Sequence, residues 1–165
     1  MTLSWSHLYK QKQISKKVLE KKYNIPRSRQ FILLLDIIDD TIRNSLIEAC
    51  KIIDIEVLLY RIEHNTSLPV FSGNDFSGVD IFLTDMERTV PLIEIVQAGV
   101  VPILPVMNSF WKSFSQFNPM RFEGNAFLYN TMNVYTLFEQ IVRYMENVRF
   151  PEDRNVLLQN VVQTF

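Results

Sequence analysis

QFILLLD, residues 30–36, is the stretch that decides the fold. Its apolar run Phe31–Leu35 leaves no polar face, which predicts a strand covered on both sides, as strands of a parallel sheet are. Similar runs follow: EVLLYR at 56–61, VDIFLT at 79–84, VVPIL at 100–104 and the short AFLY at 126–129. Between them the period turns helical. Ile42, Leu46, Ile47, Cys50 and Ile53 recur at helical spacing after Asp39, Asp40 or Thr41, each a suitable cap. Thr89 to Gln97 reads as a shorter helix, with Gly99 where a C-terminal cap belongs. Val134 to Val148 carries Leu137, Phe138, Ile141, Val142 and Met145 on one stripe, and Pro151 opens a last helix to about Val162. Strands alternating with helices predict an α/β domain: a three-layer, Rossmann-like, doubly wound parallel sheet of about five strands.

The remaining segments are less regular. Lys10 to Tyr23 reads as a helix with Ile14, Val18 and Leu19 on one stripe and lysines elsewhere, stopped by Asn24 and Pro26. Residues 63–78 form the longest loop, and Pro102 suggests a strand end or an irregularity. Residues 108–122 are rich in Phe, Trp and Ser without a clear period. The expected organisation is one domain over 1–165, with a basic helix and entry segment (1–29), an α/β core (30–150) and a C-terminal helix (151–165).

Composition narrows the function. Apolar residues make up 47% of the 165, enough for a substantial core. One cysteine and two histidines leave no disulfide framework and little to ligate a metal, and the expectation is no metal and no cofactor. Cys50, on an apolar stripe, reads as core. The four glycines (Gly73, Gly78, Gly99, Gly124) are scattered and form no phosphate loop. The net charge of −1 hides a polarity: residues 1–30 carry eight cations against Glu20 alone. Only Tyr9 and Tyr23 accompany those cations, too few for a base-stacking platform, so nucleic acid is not expected as a partner. No apolar run approaches the roughly 20 residues of a membrane span, and MTLSWSHLYKQKQ lacks the order of a secretory signal. A cytoplasmic location is expected, with no membrane partner.

Residues 117–160, FNPMRFEGNAFLYNTMNVYTLFEQIVRYMENVRFPEDRNVLLQN, resemble the C-terminal end of glycogen and starch synthases. Those enzymes show a similar Phe-Asn-Pro, a Gly-x-Gly-Phe-x-Phe strand and a Leu-Phe-x-Ala-Ile-x-Arg-Ala helix. The counterparts are Phe117-Asn118-Pro119, Gly124 to Tyr129, and Leu137 to Tyr144. At the other end, Lys16 to Pro26 before FILLLD resembles the Lys-rich helix and Leu-Gly-Leu-Pro that enter the family's C-terminal lobe. Glu94 to Leu104 looks like the glutamate-plus-strand segment beside the sugar nucleotide. The resemblance implies the nucleotide-binding lobe of a GT-B glycosyltransferase.

The departures fall on the chemistry. Where the family has an Arg and a Lys that neutralise the departing diphosphate, Leu35 to Thr41 holds three acids and no base before Arg43. Glu87 to Pro91 lacks the family's glycine, and Glu87 and Glu94 stand one residue closer together than in the family. Asn108 to Phe114 replaces the Gly-Gly-Leu-x-Asp-Thr-Val turn. The chain between Leu59 and Val79 looks too short for the family's helix and strand, and the acceptor-binding lobe is absent. The resemblance with these departures implies a non-catalytic, pseudoenzyme domain with no catalytic residues, acting through protein–protein association. Glu87 and Glu94 are then a vestigial sugar-nucleotide site with residual binding. Phe110, Trp111 and Phe114 are the expected interface for a protein partner or a second copy. The alternative is one lobe of a split nucleotide-sugar glucosyltransferase. A further alternative is an atypical response-regulator receiver, since Asp39, Asp40 and Asp85 are similar to that family's acidic pair and phosphoacceptor, although Tyr129-Asn130-Thr131 stands where its Lys is expected.

Overall fold

The structure, a computed structural model, describes residues 5–60, 68–73, 75–85, 90–106 and 112–165. In chain order the elements are α1 (Trp5–Lys22), β1 (Phe31–Asp36), α2 (Asp40–Ile52), β2 (Ile55–Tyr60), β3 (Val70–Phe71), β4 (Ile81–Thr84), α3 (Val90–Gln97), β5 (Val101–Pro105), β6 (Phe127–Tyr129), α4 (Val134–Val148) and α5 (Pro151–Val162). The six strands form one parallel sheet in the order β3-β2-β1-β4-β5-β6. β1 lies at its centre, with Ile32 to Leu35 fully buried, as the unbroken apolar run requires. The chain runs outward from β1 through β2 to β3, then returns to the other side of β1 for β4 and continues to β6. Right-handed crossovers in these opposite directions put α2 and α3 on opposite faces. Accordingly α2 packs on α4 and β2, while α3 and α5 pack on each other and on β5.

The sixth strand is β3. Only two residues long, it pairs Val70 with Leu59 and Phe71 with Tyr60, so the connection read as one long loop, too short for the family's helix and strand, does hold a short strand. Pro102 lies within β5 rather than at its end. Val101 N–H reaches Asp80 O at 3.0 Å on the β4 side, so alternation aims the proton-less nitrogen of Pro102 at β6. There the ladder begins one residue later, at Ile103 opposite Phe127, and no bond is lost. Gly99, at φ +73°, ends α3 as expected.

Helix α1 overturns its sequence reading. Ile14 and Val18 are 65% and 62% exposed, whereas Lys12 and Lys16 are buried along with Leu19. The lysines are inside because their ammonium groups meet acceptors at the amino edge of the sheet. Lys16 Nζ pairs with Asp80 Oδ2 at 2.7 Å and donates to Gln30 O. Lys12 Nζ donates to Val79 O. Asp80 Oδ2 also accepts the Ile32 N–H at 2.8 Å, which ties the start of β1 to the approach to β4. Gly78 permits this seating, because a Cβ there would lie 2.8 Å from Ser15 O and 2.9 Å from Lys16 N of the helix backbone.

The aperiodic segment before β6 is fixed by hydrogen bonds. Asn125 accepts from Ser115 N–H at 2.9 Å and donates to Ser113 O at 2.9 Å and Thr164 Oγ1 at 2.8 Å. Gly124, at φ +90°, passes so close to Gln116 that a Cβ would sit 2.2 Å from its carbonyl oxygen. Phe114 is buried and meets Phe165 edge-to-face at 5.9 Å.

Candidate functional site

In an open parallel sheet the crevice lies beyond the carboxyl ends of the strands where the chain reverses direction. Here that point is between β1 and β4. β1 ends in Asp36 and β4 in Thr84, paired in register, and both side chains are buried. Thr84 Oγ1 donates to Asp36 Oδ2 at 3.2 Å. Asp85, one residue on, accepts the Ile38 N–H on Oδ2 at 3.1 Å. Its other oxygen, Oδ1, is buried without a hydrogen-bond partner among the described residues.

The β1–α2 turn completes this edge. Asp39 caps α2, accepting Thr41 and Ile42 N–H at 2.9 Å each. Arg43, the first base after β1, is buried and bends back into its own turn. It donates to Ile37 O at 3.1 Å and Ile38 O at 3.3 Å and pairs with Asp40. Its charge holds the turn together and does not project into the crevice. Tyr129, at the end of β6, donates its hydroxyl to Thr84 O at 3.0 Å. Burial, and secondarily the Asp85 charge, raise the Tyr129 phenol well above its usual value, so it stays a neutral donor. Among the described residues, this edge therefore carries Asp36, Asp39, Asp40 and Asp85, and Arg43 is committed to its own turn.

The expected site residues are placed as follows. Glu94 is exposed on α3. Glu87 lies outside the described residues, as do Phe110 and Trp111, while Phe114 is inside the fold as described above. Cys50 is fully buried, and burial pushes its thiol up to about 12, which fits a core role rather than a nucleophile. Among the described residues no three His, Cys, Asp or Glu side chains gather as a metal site. No helix among them is long and apolar enough to cross a membrane. Sequence reasoning singled out the acids after β1 but missed Asp80, whose position inside a buried strand approach was the available signal.

This is a Rossmann-like domain whose crevice sits at the usual switch point and is acidic. No family model matches the sequence, and no curated protein matches it. Solved structures do. The catalytic domain of starch synthase IV from Arabidopsis thaliana, bound to ADP and acarbose, superposes with a TM-score of 0.69 over 98% of this chain at 12% identity. The glycotransferase of kitacinnamycin superposes with a TM-score of 0.56 over 84% of the chain at 10% identity. The chain spans 40% and 41% of those two chains, respectively. Its fold is thus that of a GT-B-like C-terminal lobe.

Proposed function

We propose that this chain is a glycosyltransferase-like lobe that does not itself transfer sugar and acts through association with a protein partner, in a cytoplasmic setting. The observation that supports it is the acidic crevice. Phosphoryl-bearing leaving groups need fixed cations where their charge develops. Among the described residues, Arg43 beside the switch point is bound to Ile37 O, Ile38 O and Asp40, while Asp36, Asp39, Asp40 and Asp85 lie at the same edge. The decisive assay is glucosyl transfer from ADP-glucose or UDP-glucose to a glucan by the purified chain, expected to stay at the no-enzyme rate. Turnover well above that rate would overturn the reading. Asp39→Arg is expected to leave transfer at the same rate, because one added base does not supply the donor glycine.

A second reading rests on the extent of the match. The match covers 40% of the starch synthase chain, an extent that suits one lobe of a split enzyme. In that reading a separate chain supplies the acceptor lobe, and Glu87 and Glu94 contribute residual sugar-nucleotide contacts. Saturable ADP-glucose binding that weakens on Glu94→Gln would favour it over the non-catalytic reading.

A further inference from the structure

At the opposite, amino edge of the sheet, α1, the α4–α5 junction and the starts of β1 and β4 enclose a cavity of about 350 Å³. Lys12, Lys16, Arg149 and Arg154 line it, against Asp80 as the single acid. Lys16 neutralises Asp80 through their 2.7 Å contact, which leaves three cations in excess. Arg154 is the informative one. Its guanidinium lies over the Tyr9 ring, 4.2 Å from the centroid, with one terminal nitrogen 3.5 Å from the Tyr9 hydroxyl. Its Nε is buried and has no hydrogen-bond partner among the described residues. A buried, unsatisfied donor on a charged group is costly, so such groups are normally paired. Neither Arg149 nor Arg154 forms an ion pair among the described residues. A guanidinium seated over an aromatic ring, lining a cavity beside further cations and without an ion-pair partner among the described residues, is a group suited to receive an oxyanion. Tyr144 supplies a neutral hydroxyl to the same cavity, its phenol raised well above the usual value first by burial and then by Asp80.

We propose that this amino-edge cavity is a binding site for a small organic oxyanion, with Arg154 as its anchor and Arg149 and Lys12 as supporting charges. The volume suits a small molecule, at the lower end of ordinary ligand pockets. Phe31, Val148 and Leu158 give the cavity an apolar wall, so the ligand carries a short hydrocarbon or ring beside its charged group. The site is remote from the acidic crevice and stands independently of the transferase reading.

The test is a titration of uniformly ¹⁵N-labelled protein, following the arginine Nε–H resonances while inorganic phosphate or acetate replaces chloride at constant ionic strength. The expected result is a saturable shift of the Arg154 resonance. A larger response to phosphate identifies a phosphate ester as the ligand class, and a larger response to acetate a carboxylate. Arg154→Gln should weaken binding at least tenfold. Arg149→Gln, at an exposed residue whose loss cannot compromise the core, should weaken it about threefold or more, and Arg121→Gln, outside the cavity lining, should leave it unchanged. An Arg154 resonance that neither anion moves beyond the chloride control overturns the proposal. So does binding of equal strength in the Arg154→Gln and Arg149→Gln proteins.

Discussion

Single residues in this chain are constrained for reasons that a contact map would not rank. Gly124 is one. Its positive φ and its approach to Gln116 both exclude a side chain, and the backbone atoms involved cannot swing away. Gly124→Ala is therefore expected to destabilise the domain by about 2 kcal/mol or more, read by urea denaturation. Lys12 is the other. Burial lowers its ammonium to about 8 from 10.5, with Asp80 opposing the shift and Lys16 adding to it. A lysine depressed in the folded state binds fewer protons than the unfolded chain between those two values. Stability then rises with pH from about 8 to 10.5. The contribution is fully present above 10.5 and is lost as pH falls through 8. The difference between wild type and Lys12→Met, measured by denaturation across that range, should change by up to about 3 kcal/mol in this direction. A flat difference would show that the ammonium is not held in a desolvated place.

Helix α1 shows at the level of an element why a hydrophobic stripe can mislead. Ile14, Val18 and Leu19 predicted the buried face, yet only Leu19 is inside, because two lysines four residues apart bury their stems and place their heads on Asp80 and on the carbonyls of Gln30 and Val79. The double change Ile14→Gln, Val18→Gln should accordingly alter stability by less than about 0.5 kcal/mol. Leu19→Ala should cost about 2–4 kcal/mol, and thermal melts of the two proteins side by side decide the matter. The strands were readable for the opposite reason. Runs such as FILLLD have no polar face to assign wrongly, and β1, β2, β4, β5 and β6 all fall on them. β3 escaped because two residues, one of them the exposed Val70, carry no periodicity. At the crevice, the acids after β1 were visible as a departure from phosphate chemistry. The commitment of Arg43 to its own turn was not, since sequence shows a base without showing where it points.

Among the described residues, charge differs in sign between the switch-point crevice and the amino-edge cavity of one sheet. The carboxyl edge gathers Asp36, Asp39, Asp40 and Asp85, whereas the amino edge gathers Lys12, Lys16, Arg149 and Arg154 around Asp80. Salt must act oppositely on anions at these two places. Screening lengths are about 10 Å at 0.1 M, so added salt weakens attraction at the amino edge and relieves repulsion at the carboxyl edge. Phosphate binding at Arg154 should fall as sodium chloride is raised from about 20 to about 200 mM, while ADP binding to the wild-type crevice, weak throughout, should not fall. Replacing Asp39, Asp40 and Asp85 together with Asn removes the repulsion while keeping acceptors in place: Asn caps a helix about as well as Asp, and its amide oxygen can still accept from Arg43 and from the Ile38 N–H. At an effective dielectric of about 20, two like charges about 8 Å apart repel by about 2 kcal/mol, so three such removals should improve ADP affinity at low salt by at least tenfold. Calorimetric titrations of both proteins at the two salt concentrations provide the measurement. Tight wild-type ADP binding that collapses with salt would mean that a cation does reach the diphosphate. Equal affinity in the triple variant would mean that the carboxylates are not what excludes it.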